Sequence, residues 1–487
     1  MRVLIANRGE VAVRIIRCCQ ELGLRSILLH STPDRNTSAY RMADEVIEIP
    51  GSSPAETYLN IPKVINACEL SRADLLHPGF GFLSENADFV ETLEKTKTIF
   101  VGPTSRAIRL AGNKIQAKAL AVKAGVPVTP AYTGTETDPK RLLNEAKKIG
   151  FPCIVKAASG GGGKGMKVVT RLEDFEELLS SAKREALNAF GNEQIFIEKY
   201  LERPRHVEVQ IFADHKGGFF HFFERDCSVQ RRHQKIFEES PSISLSQDLR
   251  KKLTESALKI IKACSYTNAG TVEFLVDDKD EFYFMELNTR LQVEHTVTEL
   301  VCGVDLVKLQ LASAMRKPLN LRQETIVQRG HAMEVRIYAE DPANQFLPST
   351  GKIIFMNLPL GPFRRFDFGY DEGDEVSPYY DPMLGKIITW AETREENIAR
   401  MLATLSGTVI FGVNTNIEFL KATLQNKRFI QNNISTRFLE EEFPAGFSNS
   451  PLSLEQEKIK ARLHNSVTDG GSADGLASNY SSPWVRE

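Results

Sequence analysis

Residues 3–6 (VLIA) form an unbroken apolar run, followed by Asn7-Arg8-Gly9-Glu10, an amphipathic stretch from Val11 to Leu22 closed by Gly23, and a second apolar run from Ser26 to His30. Strand, turn, helix and strand in that order pair the two strands in parallel through a right-handed crossover. The chain must therefore open with an α/β domain. A strand at Thr98–Gly102 and a helix start at Pro103-Thr104-Ser105 carry this domain to about Gly112.

At roughly 150 residues per domain, 487 residues make about three domains. Hydrophobic residues at 42% and charged residues at 25% describe an ordinary globular chain and exclude disorder, collagen and a disulfide scaffold. The 61 basic and 63 acidic residues leave a net charge of −2, so no global positive field recruits nucleic acid or an anionic membrane. No segment approaches the roughly 18 apolar residues of a membrane span, and the apolar start is too short for a signal peptide. Seven scattered cysteines without a C-x-x-C pair suit a reducing cytosol, so a cytoplasmic location is expected.

The second region has helices at Lys114–Ala124 and Pro139–Ile149, then a strand at Cys153–Ala157, a glycine run and a strand at Gly165–Thr170. The third, from Glu202 to Phe443, holds alternating runs at His206–Phe212, Thr271–Val276, Glu281–Asn288 and His331–Ala339, read as half-buried antiparallel strands. There is no internal repeat. After Phe443, Pro451–Leu463 could form one helix, whereas Asn465–Pro483 is rich in Ser, Gly, Asp and Asn and reads as a flexible tail.

The glycine run, Ser159-Gly160-Gly161-Gly162-Gly163-Lys164-Gly165, lets backbone amides approach an anion while Lys156 and Lys164 neutralise it. It is not a Walker A loop, because Ala158 and Gly165 stand where that motif needs Gly and Ser or Thr. Nor is it a dinucleotide fingerprint, because Met166-Lys167-Val168-Val169 reads as strand rather than helix. A flap closing over nucleotide phosphates fits; the bland alternative is a flexible hairpin tip.

If Asp277-Asp278-Lys279-Asp280 is a four-residue loop, Val276 faces Glu281, Glu273 faces Phe284, and Glu286 becomes a diagonal neighbour of Glu273. Asn288 continues that face. Two carboxylates and an amide oxygen are hard ligands suited to Mg²⁺ or Mn²⁺ bridging to phosphates; the alternative is a solvated hairpin face. His206, Glu208 and Gln210 share one strand face, which is either a site wall or plain surface. Arg231-Arg232-His233-Gln234-Lys235 concentrates charge for a small anion or for solvent. Glu334 and Arg336 share another strand face.

The flap, Glu273, and Glu286-Leu287-Asn288-Thr289-Arg290-Leu291-Gln292-Val293-Glu294-His295 together resemble the ATP-grasp ligases, and more narrowly biotin carboxylase. Ile5-Ala6-Asn7-Arg8-Gly9-Glu10, His77-Pro78-Gly79, Gly81-Phe82-Leu83-Ser84-Glu85-Asn86, Glu224-Arg225-Asp226-Cys227-Ser228 through Lys235, Glu340-Asp341-Pro342 and Tyr379-Tyr380-Asp381 match that family across residues 1–445. The resemblance implies a three-domain, mixed α/β and α+β ATP-grasp architecture. Its parts would be a Rossmann-like domain at 1–113, a flap-bearing subdomain at 114–201, a catalytic and antiparallel C-terminal domain at 202–445, and a tail at 446–487.

It further implies ATP held by Lys114, Lys156, Gly162, Gly163, the adenine segment Glu198, Lys199, Tyr200 and Leu201, and flanking His206 and His233. Glu273, Glu286 and Asn288 would bind two Mg²⁺ or Mn²⁺ ions. Bicarbonate would sit with Lys235, Arg290 and the Val293 amide, with Glu294 as general base and Arg336 stabilising the biotin enolate. Catalytic roles thus fall on Lys235, Arg290, Glu294 and Arg336. Phe80 stands where the family often has Tyr, and Ala158-Ser159 precede four glycines where five are common. The family's Met-Lys-Met biotin-attachment sequence is absent, so biotin is expected in trans on a carrier protein, with carboxyltransferase partner subunits and a homodimer. The acyl acceptor stays open. So do two other readings, another ATP-grasp carboxylate–amine or carboxylate–thiol ligase and a non-catalytic nucleotide-binding scaffold.

Overall fold

The computed structural model describes residues 1–134, 138–158 and 165–447. The flap residues Gly162 and Gly163 and nearly all of the expected tail lie outside them. The N-terminal strands β1 (Arg2–Ile5), β2 (Arg25–Ser31), β3 (Glu45–Ile49), β4 (Leu75–His77) and β5 (Ile99–Phe100) form a sheet in the order β3-β2-β1-β4-β5. Every pairing in it is parallel. Between β1 and β2 runs α1 (Gly9–Glu21), which buries Val11, Ala12, Ile15, Ile16 and Cys19 at helical spacing. Full burial of each large aliphatic among them contributes about 1.5–3 kcal/mol. The helix ends where Gly23, at φ +65°, takes the left-handed conformation and lets Leu24 N–H reach the Cys19 carbonyl at 2.8 Å.

The turn before α1 points at the rest of the molecule. Asn7 Nδ2 donates to the carbonyls of Pro78 (2.6 Å) and Phe80 (2.7 Å), tying the β4 loop to the start of α1. A Cβ on Gly79 would come within 2.8 Å of Asn7 Nδ2, so this approach requires glycine.

A second, four-stranded sheet joins β6 (Ala131–Tyr132), β7 (Cys153–Ala157), β8 (Met166–Val169) and β9 (Ile195–Lys199) in the order β6-β9-β7-β8. Strands β7 and β8 pair antiparallel on either side of the glycine run, as the strand, glycine loop, strand reading expects.

The third sheet has eight strands: β10 (Arg205–Ala213), β11 (Phe219–Arg231), β12 (Gln234–Ser240), β13 (Asn268–Val276), β14 (Phe282–Asn288), β15 (His331–Tyr338), β16 (Arg364–Phe368) and β17 (Met383–Ala391). Their order is β14-β13-β10-β11-β12-β15-β17-β16. Strand β14 keeps a partly exposed face at Tyr283 and Met285, but β10 is not half-buried, as its alternation suggested. In β10 every residue but Arg205 is buried: Val207, Val209 and Ile211 pack in one core with Leu253, Ala257 and Ile260 of the helix Gln247–Ala263, while His206, Glu208 and Gln210 face an enclosed polar network.

The hairpin register is also corrected. Val276 pairs with Phe282, Leu275 with Tyr283 and Phe274 with Phe284; the register then shifts, and Glu273 lies directly opposite Glu286. Two local causes account for this. Glu281 belongs to the turn, its carbonyl accepting from Asp277 N–H at 2.9 Å. Phe284 N–H is taken by the Pro127 carbonyl at 2.8 Å, so the strand bulges at Met285.

Candidate active site

The β14-β13-β10-β11-β12-β15 succession lines up side chains beneath a cleft of about 610 Å³. Arg8, Glu10, Phe80, Lys114, His206, His233, Lys235, Glu273, Glu286, Asn288, Arg290, Val293 and Arg336 all line it, so the structure brings most of the expected site residues together.

At its floor is a lysine among three carboxylates. Lys235 Nζ lies 2.6 Å from Glu208, 2.8 Å from Glu273 and 2.7 Å from Glu294. Burial favours the neutral amine, but the three anions outweigh it and hold Lys235 well above the ordinary lysine value. Burial likewise opposes ionisation of Glu294, yet Lys235, Arg336 and Arg225 hold it well below the usual carboxylate range. An anion so fixed, with Arg336 3.0 Å from its second oxygen, is a base that stays unprotonated across the neutral range. Glu273 is also kept ionised, its second oxygen accepting from His206 Nε2 at 2.9 Å.

Glu286 meets Lys114 Nζ at 3.1 Å and Asn288 follows two residues on, its buried side-chain nitrogen having no hydrogen-bond partner. Two opposed carboxylates with an adjacent amide oxygen are a donor set that fits a hard divalent cation. Arg290 is held over the cleft by Glu85 at 2.9 Å and Gln292 at 2.8 Å. His233 sits at the exposed tip of the β11–β12 hairpin at φ +68°.

Lys156 and Glu198 form a separate cluster. Glu198 Oε2 lies 2.7 Å from Lys156, and its other oxygen is held by Lys118 and the Thr129 hydroxyl. Burial opposes the charge, but the two lysines hold Glu198 down to about 2. Lys199 Nζ turns to the Phe151 carbonyl at 3.1 Å. Tyr200 and Leu201 line a second cavity with Arg203, Arg205 and Asn432, so the structure does not place these three on the cleft wall.

Sequence reasoning did not single out Arg225, Lys118 or Glu238. Arg225 is wholly buried, donating to Glu208 (2.5 Å), Gln210 (2.7 Å) and Thr298 (3.0 Å). The alternation that puts Glu208 and Gln210 on one face was the available signal. Lys118 lies in an alanine-rich helix, Lys114–Lys123, and nothing in its spacing marks it.

Residues 1–108 match the biotin carboxylase N-terminal domain, 113–322 the ATP-binding domain of the carbamoyl-phosphate synthase L chain, and 334–441 the biotin carboxylase C-terminal domain. The biotin carboxylase of Nostoc sp. is 47% identical over 440 residues, 90% of this chain and 98% of that protein. The mitochondrial methylcrotonoyl-CoA carboxylase subunit alpha of Dictyostelium discoideum is 46% identical over 90% of this chain, which spans 63% of that longer protein. Among solved structures, the biotin carboxylase domain dimer of Hydrogenobacter thermophilus 2-oxoglutarate carboxylase, in complex with MgADP, ADP and bicarbonate, superposes with a TM-score of 0.89 at 39% identity. That match covers 92% of this chain and 99% of that one. The chain belongs to the biotin carboxylase family.

Proposed function

We propose that the cleft carboxylates biotin with bicarbonate at the expense of ATP, the first half-reaction of a biotin-dependent carboxylase. The observation that carries this is Glu294, a buried carboxylate kept ionised by Lys235 and Arg336, two residues that line the cleft together with Arg290 and Val293.

Bicarbonate binds to Lys235, Arg290 and the Val293 amide. Glu294 takes its proton, and the freed oxygen attacks the γ-phosphorus as the bond to ADP breaks, giving carboxyphosphate. Lys114, Lys156 and the flap amides of Gly162 and Gly163 neutralise the phosphates, and His206 and His233 flank the nucleotide. Glu273, Glu286 and Asn288 would hold magnesium, which would supply further charge neutralisation at the phosphates. Carboxyphosphate splits into CO₂ and phosphate, and the phosphate takes the proton from the ureido nitrogen of biotin. Arg336 stabilises the resulting enolate with a planar, permanently charged donor set, and the nitrogen attacks CO₂. Biotin enters as a substrate on a carrier segment that these residues do not include, and a carboxyltransferase receives the product.

Glu294→Ala tests the assignment: bicarbonate-dependent ATP hydrolysis should fall by about 10²–10⁴-fold, with the ATP dissociation constant within a few-fold of wild type. Retained hydrolysis would remove Glu294 from the chemistry.

A further inference from the structure

Beside the cleft, on β12, lies a carboxylate to which no role has been given. Glu238 is fully buried and does not line the cleft. It is paired across the sheet with Glu334 of β15, which places it beside Arg336 two residues further along that strand. Arg336 donates from Nε to Glu238 Oε1 at 2.7 Å, and its NH2 lies 2.5 Å from the same oxygen and 3.0 Å from Glu294. The other Glu238 oxygen has no hydrogen-bond partner among the described residues.

The guanidinium, which lines the cleft, is thus gripped along one edge and its plane is fixed. A side chain as long as arginine, left without that grip, has several rotamers available and would turn wholly onto Glu294. We propose that Glu238 is a positioning residue for the biotin step: it fixes the plane of Arg336 and keeps that guanidinium from being consumed by the general base. The proposal rests on the function assigned above.

Burial pushes Glu238 up, with the Glu294 and Glu334 carboxylates adding to the rise, against the opposing charge of Arg336 2.5 Å away.

The test compares wild type with Glu238→Gln in bicarbonate-dependent ATP hydrolysis, with and without free biotin. The expected result is a loss of about tenfold or more in the biotin-stimulated kcat, with KM for ATP within about twofold. Glu238→Asp, which keeps the charge, should recover part of that loss. In an Arg336→Met background, Glu238→Gln should add less than about twofold, because the two residues act as a unit. Biotin stimulation within twofold of wild type in Glu238→Gln would overturn the proposal. So would a full additional loss in the Arg336→Met background, or a KM for ATP that rises in step with the loss of kcat. Should Glu238→Gln fail to fold, Glu238→Asp decides alone: a selective loss of the biotin-stimulated rate supports the proposal, and a uniform or absent loss overturns it. If wild type shows no biotin stimulation at all, the assigned function itself fails, which is a distinguishable result.

Discussion

Two buried charge clusters, one beneath the cleft and one apart from it, are built around opposite centres. On the eight-stranded sheet one ammonium, Lys235, is shared by three carboxylates. At the four-stranded sheet one carboxylate, Glu198, is shared by two ammoniums, Lys118 and Lys156. In the first, Arg225 and Arg336 also pair with Glu208 and Glu294, so the carboxylates are balanced by three cations; in the second, one carboxylate has two lysine partners and leaves a positive surplus. Under the proposed function, chemistry falls to the eight-stranded sheet and substrate capture to the four-stranded one.

The largest effect should come from breaking the cluster beneath the cleft. Lys235→Met removes the cation common to Glu208, Glu273 and Glu294, and bicarbonate-dependent turnover should drop by about 10³-fold or more, read by steady-state ADP release. Next, Glu286→Gln removes one carboxylate of the hard donor set. The magnesium concentration giving half-maximal rate should rise about 10–100-fold, and a magnesium titration showing no shift would separate Glu286 from the metal.

Breaking the cationic cluster should look different. Lys156→Met should raise KM for ATP by about tenfold through one lost charge-assisted contact, with kcat changing less. An equal loss in kcat at unchanged KM would place Lys156 with the chemistry and erase the contrast between the clusters.

The smallest effect is on stability. Glu198 is lowered from 4.5 to about 2 in the folded chain. A depressed carboxylate contributes stability that is present above its unfolded value and is lost as pH falls from about 4.5 toward 2. That contribution is at most about 3 kcal/mol by linkage. Glu198→Gln should therefore flatten the dependence of the urea midpoint in that acid window and leave its slope at pH 7–8 unchanged. An acid-window slope like that of wild type would contradict the assignment.

Much of this arrangement was legible in the sequence because it is local. The α1 segment announces itself by apolar spacing and Gly23, and β7 and β8 bracket the glycine run as strand patterns. The pairing of Glu273 with Glu286 was legible as proximity but not as register. The shift at Met285 depends on Phe284 N–H finding the Pro127 carbonyl, a contact that no pattern within the hairpin encodes. Glu208 and Gln210 were legible as one strand face, but whether that face met water or Arg225 depended on packing from distant segments. Lys118 and Glu238 left no mark for the same reason. Each is a single charged residue whose partner lies far away in sequence: Glu198 for the first, Arg336 for the second.

The most direct test of the account is steady-state ATP hydrolysis by the purified chain with Mg²⁺ and bicarbonate, in the presence and absence of free biotin. The account predicts hydrolysis that biotin stimulates and that vanishes, with its stimulation, when bicarbonate is removed. Hydrolysis indifferent to biotin or to bicarbonate would contradict it.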